Sequence, residues 1–217
     1  MRRAVSTFRD GESSAAILGD LPIFPLNTVL FPGGVLPLRI FEARYMDMAR
    51  DCLAGERPFG VCLITEGKEV GEAAEHEAVG CTASIVDWDM QQLGLLQIRA
   101  IGGRRFRVVS RRVQPDGLIR ADAEIVADDP AIGLPAEYEV CATLLRRIVD
   151  DVVERETEPI KRMIAEPYEF GSARWVGNRL CEFLPIPPGA RQKLMELDDP
   201  ITRLALIHQY LQQHQVI

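Results

Sequence analysis

The chain has 217 residues, a net charge of −7, 47% hydrophobic and 26% charged residues. That is ordinary globular composition, long enough for one sizeable core or two small ones. No run approaches the roughly 18 apolar residues of a membrane span, and the opening MRRAVSTFRDGESS has no apolar stretch to act as a secretory signal, so a cytoplasmic protein without membrane contact is expected.

Residues 1–19 read as a disordered tail. Two apolar runs follow, Leu21–Leu26 and Val35–Phe41, around the loop 27–34 with its Asn, Pro and paired glycines. This pattern predicts strand, turn, strand, then a helix from about Glu42 to Leu53. At least one of Gly33 and Gly34 is expected at positive φ. Prolines 22, 25, 32 and 37 cannot all sit in a central ladder and suggest edges or bulges. In the helix, Phe41, Tyr45, Met48 and Cys52 form one apolar stripe.

Phe59–Ile64 reads as a central strand, 65–77 as an exposed acidic loop, and Val79–Trp88 as another strand. Leu93–Ile101 and Arg104–Val113 flank Gly102-Gly103, the signature of a two-residue hairpin. Alternation in the second arm turns Phe106 and Val108 away from a wet face carrying Arg105 and Arg107. Gly117–Val126 closes the sheet. Asp128-Asp129-Pro130 then marks a boundary. Tyr138, Cys141, Leu145, Ile148 and Val152 are spaced for a long helix. Ser172 suits the N-cap of a second helix, Pro188 opens a third, and Asp199-Pro200 starts a fourth.

The fold class expected is α+β: a β-rich subdomain over 20–127, then a helical bundle over 134–217. The opening string carries a resemblance. Leu21-Pro22-Ile23-Phe24-Pro25-Leu26, Leu30-Phe31-Pro32-Gly33-Gly34 and Leu38-Arg39-Ile40-Phe41-Glu42, with Arg44 and Tyr45, closely resemble the start of the amino-terminal, substrate-recognition domain of Lon (ATP-dependent protease La). Ser172-Ala173, Leu184-Pro185-Ile186, Lys193-Leu194-Met195-Glu196 and Arg203-Leu204 resemble its later part. The resemblance spans about 20–213. It implies a PUA-like, barrel-type β half followed by a helical bundle, and recognition of unfolded or damaged polypeptide, with a separate protease or chaperone as partner.

The chemistry of the chain agrees with a module that is not an enzyme. A phosphate loop needs G-x-x-x-x-G-K-[ST], and Gly33-Gly34 and Gly102-Gly103 lack the following Lys and Ser. The sequence contains neither the ATPase module nor the Ser–Lys dyad of full-length Lon, so the resemblance implies neither activity and no cofactor. Cysteines 52, 62, 81, 141 and 181 are widely spaced in apolar patterns and read as buried thiols, not a disulfide or metal set. His76, His208 and His214 are scattered, and no metal site is expected. Cys81 with His76 is the one nucleophile–base pairing to weigh.

Two surfaces remain. Phe24, Phe31 and Trp88 are large apolar groups in a turn-rich region, either core residues or a peptide-binding surface. Arg99–Arg120 holds seven arginines against Asp116, and 121–160 holds eleven acids against three arginines. Such asymmetry fits packed, mutually compensating faces. The alternative is an RNA-binding hairpin through Arg104, Arg105, Arg107 and Arg111, for which stacking aromatics are missing.

Overall fold

The computed structural model describes residues 16–158 and 161–217. The strands are β1 (Ile17–Leu26), β2 (Val35–Ile40), β3 (Phe59–Glu66), β4 (Glu75–His76), β5 (Val79–Gln92), β6 (Leu95–Val113) and β7 (Ile119–Ile125). Helix α1 (Ala43–Gly55) lies between β2 and β3, and α2 (Glu139–Arg155), α3 (Ala173–Phe183), α4 (Pro188–Glu196) and α5 (Pro200–Gln213) follow a short 3₁₀ turn at Ala136–Tyr138.

Strands β1, β7, β6, β5 and β3 pair in that order, and β3 returns to β1 in parallel, from Ile23↔Gly60 to Leu26↔Leu63. The sheet therefore closes on itself, which removes its open edges. Strand β2 lies outside this ring, antiparallel to the first half of β6. The prolines fit this plan. Pro37 is on β2, which pairs on one side only. Pro22 is paired only to β7 and Pro25 only to β3. A missing N–H costs nothing on an unpaired side.

Three expectations are corrected. The pair Gly102-Gly103 is not a hairpin turn; it lies inside the 19-residue strand β6. The turn is at Leu93-Gly94, where Gly94 has φ +83°. Gly102 is glycine because the 27–34 loop presses on it: Gly33 N–H donates to the Gly102 carbonyl and Gly102 N–H to the Gly34 carbonyl, both at 2.8 Å. A Cβ there would collide with the Phe31 carbonyl oxygen. The predicted tail also ends earlier, since Ile17 and Leu18 pair with Glu124 and Ala123 of β7; residues 1–15 lie outside the described residues. The acidic loop is not wholly irregular, because Glu75–His76 form β4 against β3.

The helix signals act as expected. Ser172 Oγ accepts from Trp175 N–H at 3.4 Å, and the Asp199 carboxylate accepts from the Ile201 and Thr202 amides, both at 3.1 Å. These satisfy amides that have no partner within their own helices. On α2, Cys141, Leu145 and Val149 are buried and Ile148 and Val152 pack beside them.

Phe24, Phe59, Val61 and Ile98 pack with Tyr45 and Met48 of α1, while Leu21, Ile23, Cys62, Phe106, Ile119 and Ala121 form a second cluster that draws on β1, β3, β6 and β7 of the ring. The core among the helices is completed by four residues of the β half, Val29, Phe31, Leu63 and Val79. The two halves thus share apolar surface, and polar groups bond them as well. Gln192 of α4 donates to the Val79 carbonyl at 3.0 Å, and Arg179 of α3 to the Pro32 carbonyl at 2.8 Å.

Candidate functional site

Of the three aromatic residues considered for peptide contact, two are not at the surface. Phe24 is buried and stacks on Tyr45 with ring centroids 3.9 Å apart. Phe31 is fully buried and belongs to the core shared with the helices. Their presentation to a peptide is corrected by this burial. Trp88 is 57% exposed. It stands on the β5–β6 arm with Val86, Met90 and Leu93, all exposed as well. The arm is long because both strands run past the barrel wall, and it ends at the tight Leu93-Gly94 turn. Exposed apolar residues scattered singly need no explanation, but four within eight residues of β5 and its turn offer a surface able to hold apolar side chains. Asp87 and Asp89 alternate with them on β5.

The arginine-rich segment does not form a free basic strip. The wet face expected for Arg105 is a correction: it is 3% exposed. Its guanidinium meets Asp129 at 2.5 Å, Met195 O at 3.1 Å, Ala127 O at 3.0 Å, and Leu197 O. The strand is irregular opposite Thr82, between the pairs Cys81↔Arg105 and Ala83↔Gly102. Beyond that shift the alternation of 105–108 is regular, and Arg105 is buried because Asp129 and the end of α4 cover that face. Arg104 pairs with Asp128 at 3.1 Å and Arg111 with Glu75 at 2.5 Å. Arg112 and Arg120 both meet Asp20. Of Arg104, Arg105, Arg107 and Arg111, only Arg107 is solvent-facing without an ion pair among the described residues. Phosphate binding depends on unpaired cations that can release counterions, and most of these cations already have carboxylate partners.

Asp129 is the residue that sequence reasoning misjudged most. It looked like part of an exposed link. Its side chain is 7% exposed and accepts from Arg105 and from Arg203 of α5, both at 2.5 Å. Arg203 also donates to the Leu194 carbonyl at 2.9 Å and to that of Leu197. The tandem acids Asp128-Asp129 give no local sign of which one turns inward; that depends on β6 and α5 arriving together.

The thiols are placed for packing. All five cysteines are buried and free. Burial pushes the Cys81 thiol up to about 12, and its sulfur lies 3.5 Å from the Thr82 carbonyl. Burial likewise pushes Cys181 to about 12 and Cys141 to about 11. A thiol held protonated at neutral pH is a poor nucleophile. His76 does not approach Cys81 as a base; its Nδ1 lies 2.8 Å from the Glu77 carbonyl, and burial lowers its pKa. Among the described residues no group of three or more His, Cys, Asp or Glu is arranged to hold a metal ion, and no helix is long and apolar enough to cross a membrane.

The described residues thus form a closed small barrel packed on a helical bundle, with an exposed apolar arm. The family model for the ATP-dependent protease La (LON) substrate-binding domain matches residues 20–213, and the chain belongs to that family. A solved Lon N-terminal domain protein from Xanthomonas campestris is 35% identical, with a TM-score of 0.71 over 89% of this chain and 99% of the other. Protein cereblon of Gallus gallus is 31% identical over 126 residues, 56% of this chain and 26% of that protein. A Lon protease of Anaeromyxobacter dehalogenans is 25% identical over 199 residues, 91% of this chain and 23% of that protein. The chain thus spans about a quarter of the length of these curated relatives. The shared part does not include the rest of either whole protein.

Proposed function

We propose that this chain recognises unfolded or damaged polypeptide as a non-catalytic module acting in the cytoplasm, and delivers it to a separate protease or chaperone. The observation that carries the reading is the apolar arm of Val86, Trp88, Met90 and Leu93, with Trp88 57% exposed. Membership of a substrate-binding domain family supports a recognition role. An unfolded chain offers what such an arm accepts: apolar side chains free of a core and backbone groups free of a ladder.

The test is fluorescence anisotropy of a labelled, permanently unfolded protein, at low and physiological salt. Binding in the micromolar range that survives the salt change is expected. Trp88→Ser combined with Met90→Ser should weaken it at least five-fold while leaving the thermal transition in place. A labelled single-stranded RNA is the second arm, read with Arg104→Glu and Arg107→Glu, which are exposed. RNA affinity that falls steeply with salt and disappears in those variants, with no affinity for the unfolded protein, would refute the reading.

A further inference from the structure

Closure of the barrel removes its edges only as far as β3 reaches along β5. The two strands pair at Phe59↔Ala83, Gly60↔Thr82 and Val61↔Cys81. From Ser84 onward β5 pairs with β6 alone. The burial of Cys81, Thr82 and Ala83 gives way there to exposure at Ser84, Val86, Asp87 and Trp88. Among the described residues no strand covers the side of Ser84–Trp88 that faces away from β6, and no backbone hydrogen bond from outside the sheet reaches it. The main-chain donors and acceptors on that side are a template for another strand.

The side-chain layer is unfinished at the same place. Register sets two apolar rows across the arm, Ile85–Ala100–Leu36 and Trp88–Ile98–Leu38. Helix α1 covers their inner members, since Leu36, Ala100 and Ile98 are buried in one cluster with Tyr45 and Met48. At β5 the cover runs out: Ile85 is half-buried and Trp88 is 57% exposed. A strand lying about 4.8 Å beyond β5 would carry both rows one residue further. Its alternate side chains would stand beside Ile85 and Trp88, and the others on the opposite face with Asp87. The other edge of the arm is blunted, because Pro37 in the middle of β2 has no N–H to give. A second copy of this chain fits β5 less well. Antiparallel pairing of β5 with itself about Trp88 sets Asp87 of each copy opposite Asp89 of the other, and like charges directly opposite are destabilising.

We propose that β5 takes an extended client segment as an added strand along Ile85–Trp88, and that the client is read by alternation, with apolar residues at every second position and polar residues between. Main-chain bonds give such a complex its affinity whatever the sequence, and the unfinished rows select the apolar positions. The register shift at Val86 interrupts the ladder, so few bonds form and the client is released readily. This rests on the reading that the arm binds unfolded polypeptide, and specifies the conformation in which the client is held.

The test alters the client and leaves the protein intact. A labelled decapeptide alternating valine with serine or lysine is compared with two N-methylated forms, one methylated at every valine amide and one at every polar-residue amide. In a strand only one of these sets faces the neighbour. Anisotropy should show one form weakened about ten-fold or more and the other within about three-fold of the parent. Hydrogen exchange with the parent peptide should slow at Ile85–Trp88 and not in β2. Two methylated forms of equal affinity, or slowing in β2 instead, would overturn the proposal. So would a dimer of the chain, seen by sedimentation, that the Trp88/Met90 double variant dissociates and the peptide does not open. If the unfolded protein binds through Trp88 and Met90 while the peptide fails to bind, or while neither methylation matters, the apolar arm stands and strand addition alone falls. If neither peptide nor unfolded protein binds, both readings fall.

Discussion

Replacing Asp129 by Asn should cost far more than its place in a polar link suggests. The change preserves the shape of the side chain and removes the only carboxylate between two guanidiniums, Arg105 and Arg203, whose side chains are 3% and 1% exposed. Both cations retain bonds to carbonyl oxygens, those of Met195, Ala127 and Leu194 among them. Neither retains an opposite charge. Breaking one side of a buried ion pair costs about 3–5 kcal/mol. For a chain of this size 1 kcal/mol moves Tm by about 2–4 °C, so a fall of roughly 10 °C is expected. Its neighbour supplies the control. Arg104→Ala removes the pair to Asp128, in which the side chains are 51% and 59% exposed. That loss should stay within about 1 kcal/mol and shrink further in high salt. Urea titration followed by tryptophan fluorescence measures both variants. If Asp129→Asn unfolds at the same midpoint as Arg104→Ala, the buried triad is not what fastens β6 to α5, and the reasoning fails.

Three further outcomes follow from particular contacts. Gly33 has φ +74° and would place a Cβ 3.3 Å from an Arg179 Nη atom, so Gly33→Ala should destabilise by roughly 1–2 kcal/mol in the same titration, and an unchanged midpoint would deny the turn its role. Burial pushes the Glu182 carboxyl up to about 7, against the opposing pull of Arg179, the Phe31 amide and Arg191. The folded state then holds this proton more tightly than the unfolded state, so the group's contribution to stability falls as pH rises from about 4.5 to about 7. Thermal unfolding of Glu182→Gln should show its stability relative to wild type increasing from pH 5 to pH 8, and a constant difference would refute the shift. We also propose that the two halves behave as one unit toward proteases. The Leu134 amide donates to Gly171 O at 2.8 Å and the Ala173 amide to Ile132 O at 3.0 Å, pinning the link. Glu66, Gly67, Lys68, Gly71 and Glu72 are exposed, so a Glu-specific protease should cut first within 66–72, and early cuts within 35–64 would contradict the map.

Much of the architecture was legible because it is set by local chemistry. Ser172 and Asp199 cap helices wherever those helices go, since the bond is to an amide two or three residues on. The spacing of Cys141, Leu145 and Val152 states a helical face without reference to what covers it. Proline at 22, 25 and 37 limits ladder bonds by its own covalent structure. The order of apolar and glycine residues in 21–45 was enough to suggest the family, which the match over 20–213 establishes.

What the sequence could not decide depends on which distant surfaces meet. Gly102-Gly103 has the composition of a turn, yet the 27–34 loop closes over it and demands a bare backbone in the middle of a strand. Arg105 and Arg107 look equivalent in a line of alternating residues. The regular pairs Cys81↔Arg105 and Val79↔Arg107 put both on one face, and the Asp129 link and the end of α4 cover the first while leaving the second in water. Phe31 and Trp88 are both aromatic residues near turns. One is covered because the helical half packs across it, and the other is exposed because the arm extends beyond anything that could cover it. Side-chain type, spacing and turn chemistry act over a few residues and are written in the chain itself. Burial and charge pairing act between segments as far apart as Asp129 and Arg203, 74 positions along the chain, and only the folded arrangement brings those segments together.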